Sequence, residues 1–124
     1  MKMITAMIRP ERLAHVKTAL FKEGVTGMSI SQVLGHGGER ETVEQYRGSA
    51  VVFEFAEKVK LEIAVADHQV DRAIDAIVTA AKTGTVGDGK IFVQSIERVI
   101  RIRTGQEDKA ALVTDPVIPA TAGG

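Results

Sequence analysis

Residues 83–90 (TGTVGDGK) combine three glycines with an aspartate and a lysine, and they are the strongest signal for ligand chemistry in the chain. Gly84, Gly89 and Lys90 have the spacing of the phosphate-loop motif of nucleotide-binding proteins. Ile91, however, replaces the Ser or Thr that holds magnesium, and the loop follows a helical pattern instead of opening one. A nest of backbone N–H groups can still hold phosphate, with Lys90 adding a point charge. We expect a phosphate-binding loop; the alternative is a plain tight turn whose glycines only supply positive φ angles.

A second cationic signal comes from Arg101 and Arg103, in the alternating segment 99–103 (VIRIR). If this segment is a strand, both guanidinium groups leave one face, while Ile100 and Ile102 leave the other. Two parallel arginines suit a polyphosphate because each offers a planar fork of donors. The alternative is a solvated strand edge.

Lys58 lies at the mouth of a long loop, near the start of an expected strand, and either binds an anion or is solvated; alone it is uninformative. His15, His36 and His68 lack metal-ligand spacing, and no nucleophile–base pair or carboxylate dyad stands out. The chain also has no cysteine, which excludes thiolate metal sites. These patterns favour a binding module over an enzyme.

Composition narrows the class further. The 124 residues suit one domain, with 44% hydrophobic and 26% charged residues. Lys plus Arg and Asp plus Glu balance at 16 each, and the aromatic residues are four Phe and one Tyr, so neither a nucleic-acid surface nor membrane attraction is expected. No apolar run is long enough for a span or a secretory signal, which predicts a cytoplasmic protein.

Hydrophobic periodicity predicts the elements that position these residues. Strands are expected at 1–8, 28–34, 58–66 and from 91, with 99–103 alternating again. One helix is expected to begin at Pro10 and stop at Gly24, and a second to be capped by Asp67.

Strand-helix-strand thus occurs twice, which predicts a ferredoxin-like βαββαβ fold: an antiparallel four-stranded sheet with two helices on one face. An RNA-recognition motif shares this order, but its stacking aromatics are replaced by Glu62, Ala64, Arg101 and Ile102. Apolar strand residues exceed what two helices cover, so self-association is expected. These residues are Ile4, Ala6, Ile30, Ile100 and Ile102.

The connection between the two repeats is unusually polar, reading HGGERETVEQ over residues 36–45. A polar segment of this length inside a small domain predicts a binding loop, with a frayed hairpin as the alternative. The domain is expected to cover residues 1–107, followed by a mobile tail at 108–124 that carries two prolines and ends in a glycine pair.

Several motifs together resemble the PII signal-transduction proteins of nitrogen regulation, over about residues 1–112. The motifs are Tyr46-Arg47-Gly48, Lys58-Val59-Lys60, Thr83-Gly84 with Gly87-Asp88-Gly89-Lys90-Ile91-Phe92-Val93, and Arg101-Ile102-Arg103-Thr104-Gly105.

The resemblance implies a ferredoxin-like homotrimer that binds ATP or ADP in the clefts between subunits. It also implies that 2-oxoglutarate binds beside Mg-ATP and reshapes a partner-binding T-loop, here residues 37–55. The implied partner is an ammonium transporter or an enzyme of nitrogen metabolism, so any membrane contact is indirect.

Site residues follow from the matching positions. The resemblance implies that the phosphates are bound by Gly87, Asp88, Gly89, Lys90, Arg101 and Arg103. It places Ser29, Glu62 and Ala64 near the adenosine. Three further residues are implied at the nucleotide: Gly37, Thr83 and Gly84. Lys58 and Glu39 are implied at the effector, Glu39 also at magnesium, and Tyr46, Arg47 and Ser49 at the partner.

The loop start departs from the family pattern. Glu39 replaces a Gln that touches magnesium and effector, and Gly38 replaces an Arg that touches the nucleotide. A carboxylate can still ligate magnesium, but it repels a dianionic effector. Val51 replaces the Tyr that some members uridylylate, whereas Ser49 matches a position that others phosphorylate.

The main prediction is therefore a PII-type adenine-nucleotide sensor. One alternative is a divergent sensor of another small anion, such as bicarbonate, which Glu39 and Gly38 favour. A second alternative is an enzyme that uses ATP.

Overall fold

The computed structural model of the chain describes residues 1–35 and 56–113, which form an antiparallel sheet with two main helices on one face. The elements, in chain order, are β1 (Lys2–Ile8), α1 (Leu13–Lys22), β2 (Ser29–Gly35), β3 (Ala56–Val65), α2 (Val70–Ala81), β4 (Lys90–Ser95) and the short α3 (Lys109–Leu112). Single 3-10 turns, Pro10–Arg12 and Asp67–Gln69, lead into α1 and α2. The ferredoxin-like prediction is confirmed.

The strand order is β2-β3-β1-β4, and every neighbouring pair is antiparallel. Met7 lies opposite Lys90, and Lys2 lies opposite Ser95 and Val65. The sheet therefore has a glycine-loop end, where β4 begins, and a far end, where β3 and β4 finish. Five residue steps along β4 separate the two ends by about 17 Å.

The hydrophobic core lies between the sheet and the helices, because alternate strand residues turn toward α1 and α2. Ile4 and Ala6 are fully buried there, so the helices cover these two of the five apolar residues but not the other three. Ile30 and Ile100 stay about half exposed, and Ile102 is 99% exposed in the single chain. The main core residues are Ile4, Ala6, Ile8, Leu61, Ile63, Val65, Val16, Leu20, Ala73 and Ile77.

The strand predicted at 99–103 is wrong. The chain turns at residues 102–104, and Ile100 pairs with Glu107 in an isolated bridge. Gly105, with a φ of +71°, lets the chain fold back. Alternation alone does not supply a pairing partner: the described sheet consists of β2, β3, β1 and β4, and residues 99–103 do not join either edge strand, β2 or β4. The two arginines of this segment therefore do not share one face of a strand.

Two helix-end predictions have different outcomes. The stop near Gly24 is confirmed, since its N–H donates to the carbonyl of Phe21 at 3.0 Å and its φ is +79°. Asp67 is not an N-cap: it lies inside the 3-10 turn, and its carboxylate accepts a hydrogen bond from the Met1 amine at 2.7 Å. Instead, the Gln69 side-chain oxygen accepts a hydrogen bond from the backbone N–H of Ala66, the residue before that turn.

Two predicted segments lie wholly or largely outside the described residues. The T-loop at 37–55 is one, and the other is the tail at 108–124, of which residues 109–112 form α3.

Candidate functional site

The glycine loop, residues 83–89, is folded around the carboxylate of Asp88. Its Oδ2 accepts the backbone N–H groups of Thr83 at 2.9 Å and Gly84 at 2.8 Å, and its Oδ1 accepts the Thr83 hydroxyl. These hydrogen bonds, that of the Thr83 hydroxyl first among them, hold the pKa of the Asp88 carboxyl far below its usual range. Asp88 is therefore an ionised structural centre of the loop.

Arg9, directly after β1, holds the same loop from the side of the sheet. Its Nε donates to Asp88 Oδ1 at 3.1 Å, and its Nη2 donates to the Thr85 hydroxyl at 3.0 Å and the Val86 carbonyl at 2.7 Å. Sequence reasoning missed Arg9. The feature that would have revealed its role is the pairing of β1 with β4, because the Met7–Lys90 register brings residue 9 beside the loop.

Lys58, predicted at the effector, reaches the glycine loop from β3. Its side chain is buried, and Nζ donates to the Gly87 carbonyl at 2.6 Å. A Cβ on Gly35 would lie 2.9 Å from Lys58 Cγ, so the glycine at the end of β2 leaves room for this side chain. Gly35 pairs with Ala56, the first residue described after the T-loop. Lys58 therefore joins the base of the T-loop to the glycine loop.

Arg9 and Lys58 both bind backbone carbonyls of the glycine loop, and these hydrogen bonds fix the direction of the N–H group that follows each carbonyl. No cis peptide bond occurs among the described residues, and in a trans peptide the C=O and the following N–H point in opposite directions. Since Arg9 and Lys58 take the carbonyls of Val86 and Gly87, the N–H groups of Gly87 and Asp88 point away from these cations. Neither N–H has a hydrogen-bond partner within residues 1–35 and 56–113. The loop thus offers two adjacent amide donors, the kind of arrangement that binds anions.

Gly89 and Lys90 complete this side of the loop. A Cβ on Gly89 would lie 1.7 Å from the Met7 carbonyl oxygen, so only glycine allows β1 and the loop to approach this closely. Lys90, the first residue of β4, is exposed. It lines a cleft of about 330 Å³ together with Asp88, Gly89 and apolar residues of α2. The six predicted positions at 83, 84 and 87–90 therefore lie in one structural unit.

The residues predicted near the adenosine lie elsewhere on the sheet. Ser29 begins β2 and pairs with Glu62, and Ala64 pairs with Met3. All three lie on the sheet face opposite the helices, because the alternate β3 residues, such as Ile63, are buried against the helices. Ala64 is one residue from the far end.

Arg101 and Arg103 belong to the segment that leaves the sheet at the far end. Arg101 donates to the Gln106 side chain at 2.6 Å and to the carbonyl of Val113. Val113 lines a cleft of about 450 Å³ with Ala64 and other residues at the far end of β3. Lys90 and Arg101 thus lie at opposite ends of one chain's sheet, and Arg103 belongs to the same segment as Arg101.

Sequence comparison with known proteins identifies the family. The family model described as "Nitrogen regulatory protein P-II" matches residues 1–106. The chain belongs to the P-II family. It is 49% identical over 112 residues to the nitrogen regulatory protein P-II of Nostoc punctiforme, 47% to that of Synechocystis, and 49% to nitrogen regulatory protein P-II 1 of Escherichia coli. Each comparison covers 90% of this chain and 100% of the relative.

This P-II chain is therefore a member of a family of regulators, which confirms the prediction of a regulator rather than an ATP-using enzyme. Among the described residues, no cluster of three or more His, Asp or Glu side chains could hold a metal ion, and no helix is long and apolar enough to cross a membrane.

The P-II positions that fall in the T-loop lie outside the described residues. They are Gly37, Glu39, Tyr46, Arg47 and Ser49, together with the departures at Gly38 and Val51. Their predicted roles stay predictions.

Proposed function

We propose that this P-II protein is an adenine-nucleotide sensor that acts as a homotrimer. ATP or ADP binds between copies, with its phosphates on the glycine loop of one copy and on Arg101 and Arg103 of the next. Residues 37–55 then carry the state of the site to a transporter or enzyme of nitrogen metabolism. The observation that carries the proposal is the loop itself, whose carbonyls are held by cations and whose N–H groups at Gly87 and Asp88 are left for an anion.

The requirement for a second copy follows from the two ends of the sheet. Lys90 and the loop belong to one end, whereas Arg101, Ala64 and the exposed Ile102 belong to the far end or the segment beyond it. A copy-to-copy contact that brings unlike ends together unites both sets, and a cyclic trimer repeats this contact without leaving an open end. The same contact offers a cover for Ile100 and Ile102.

A route from the nucleotide to the T-loop runs through Lys58. Its Nζ bonds the Gly87 carbonyl, and its strand begins where the T-loop returns to the sheet. A ligand that changes this bond also changes the base of the T-loop. A small acid bound beside the phosphates therefore has a physical means of favouring one loop state, limited by its difference in affinity for the two states.

The effector is 2-oxoglutarate or another small anion such as bicarbonate, bound together with Mg-ATP. Glu39 favours the second choice, because a carboxylate near a dianion adds repulsion of about a few kcal/mol at intermediate dielectric. Calorimetric titration of 2-oxoglutarate into protein saturated with Mg-ATP separates the two: binding heat supports 2-oxoglutarate, and its absence supports the divergent effector.

The nucleotide proposal is tested by isothermal titration of ATP into wild type and Lys90→Ala. We expect a loss of about 1–3 kcal/mol of binding free energy, the usual cost of removing a charge-assisted hydrogen bond. Lys22→Ala, at an exposed position of α1, removes the same charge away from the loop and is expected to bind ATP like wild type. Equal affinity in wild type and Lys90→Ala contradicts the phosphate assignment.

A further inference from the structure

Arg9 contacts three different residues of the glycine loop: a carboxylate, a hydroxyl and a backbone carbonyl. We propose that Arg9 is a positioning residue of the anion site, which turns the Gly87 N–H toward a nucleotide phosphate without touching the nucleotide. This inference rests on the proposed nucleotide function and adds a residue that determines the preference for phosphate.

The direction of the Gly87 amide depends on the hydrogen bond between Arg9 and Val86. Because Nη2 holds the Val86 carbonyl at 2.7 Å, the N–H of the same peptide unit points away from the guanidinium. Gly87 has a φ of +102°, which a side chain would strain but glycine adopts freely. Gly87 is buried, and a buried N–H without a partner is unfavourable until an acceptor arrives. A phosphate oxygen is such an acceptor.

The same guanidinium offsets the negative charge of Asp88. The carboxylate is needed to shape the loop, since it gathers the N–H groups of Thr83 and Gly84. An ionised carboxylate beside a phosphate site repels the ligand unless a cation lies close to it. Arg9 lies 3.1 Å from Asp88 Oδ1, and both side chains are about three-quarters buried, where screening by water is reduced.

The forked geometry of the guanidinium group allows the Arg9 side chain both to hold the Val86 carbonyl and to offset the charge of Asp88. Nε donates a hydrogen bond to Asp88, while Nη2 donates to Val86 and Thr85. A lysine at this position keeps the charge but has a single nitrogen to share among these acceptors. The backbone of Arg9 is itself restrained, because the following Pro10 favours the extended conformation seen here, with φ −67° and ψ 138°.

The test compares phosphate preference in Arg9→Met, Arg9→Lys and the matched control Arg12→Met. Arg12 is a second partly buried arginine near the start of α1; its Nε and Nη2 donate to the Ala80 carbonyl at 2.9 and 2.8 Å and not to the loop. Each protein is titrated calorimetrically with ATP, ADP, AMP and adenosine, after circular dichroism has shown that it is folded.

In the wild type, affinity is expected to rise from adenosine to ATP. Arg9→Met is expected to lower the ATP-to-adenosine affinity ratio roughly ten- to a hundredfold, and Arg9→Lys to lower it less. Arg12→Met is expected to melt at a lower temperature but keep the wild-type ratio, because its role is structural only. A nitrogen-15 NMR spectrum of Arg9→Lys, which retains the charge, is expected to show shifted amide signals for Gly87 and Asp88.

Each contrary result has its own meaning. A wild type that binds adenosine as tightly as ATP overturns the proposed nucleotide function, and this inference with it. A wild type that prefers ATP, with Arg9 variants that keep the same ratio and unshifted Gly87 signals, overturns the role of Arg9 alone. A ratio that falls equally in Arg12→Met reduces the effect to loss of stability and also overturns it.

Discussion

The glycine loop, residues 83–89, and the C-terminal segment, residues 96–113, both carry residues predicted to hold phosphate, yet they are held in different ways. The loop is fixed by side chains from distant strands: Arg9 comes from the end of β1 and Lys58 from β3. The described hydrogen bonds of the segment run mostly within itself, as between Arg101 and Gln106. Its Ile102 is 99% exposed.

This difference indicates two roles within one proposed site. The loop has its shape in the single chain, because its carbonyls and its carboxylate are already bonded. The segment leaves apolar surface uncovered, so its final surroundings are expected to include another copy. An anion site made from both regions is half complete in one chain and completed by assembly.

The largest effect on the free energy of unfolding is expected from adding one methyl group to a glycine in each region. Gly89→Ala places a Cβ against the Met7 carbonyl at a φ of +105°, so we expect a loss of at least about 3 kcal/mol of unfolding free energy or a failure to fold. Gly105→Ala, at a φ of +71° with no heavy atom within 4 Å, is expected to cost about 1–2 kcal/mol. Urea unfolding measures both; equal losses contradict the claim that the loop is the more constrained region.

A smaller, pH-dependent loss of stability is expected from Asp88→Asn. The folded state lowers the pKa of this carboxyl from its ordinary value of 3.8, so its stabilising contribution is present above about pH 4 and is lost as the pH falls toward the lowered pKa. The difference in melting temperature between wild type and Asp88→Asn should stay constant from about pH 7 to 5 and shrink below about pH 4. Asp75→Asn, at an exposed position of α2, controls for the lost charge. A difference that grows on acidification reverses the assigned sign.

The smallest effect on the fold is expected from deleting residues 40–52. Gly35 and Ala56 are already paired across β2 and β3, so the seven remaining residues can close the hairpin. The melting temperature and oligomeric mass should remain near those of wild type, while binding to the regulated partner is lost. A deletion that unfolds the protein makes this segment structural.

The sequence predicted the fold well because each element carries a strong periodic signal. Residues 58–66 alternate cleanly, and the observed strand β3 covers Ala56–Val65; the glycine-rich turn at 83–90 also stands out as a separate unit. Periodicity failed at 99–103, since alternation in the sequence does not show which strand, if any, the segment pairs with. Arg9 was missed because its role depends on the register between β1 and β4, which no local pattern contains.

The most direct measurement of the central claim is complementation between two defective copies. Lys90→Ala removes the loop cation and leaves both arginines, whereas Arg103→Ala removes an arginine and leaves the loop; each variant alone is expected to bind ATP weakly. When the two are unfolded together and refolded as a mixture, about a quarter of the clefts in a random trimer combine an intact loop with intact arginines. The proposal predicts that this fraction of tight ATP sites returns, measured by calorimetry, together with a trimer mass by native mass spectrometry. A mixture that binds no better than its separate components, or a chain that remains a monomer, contradicts a site built between copies.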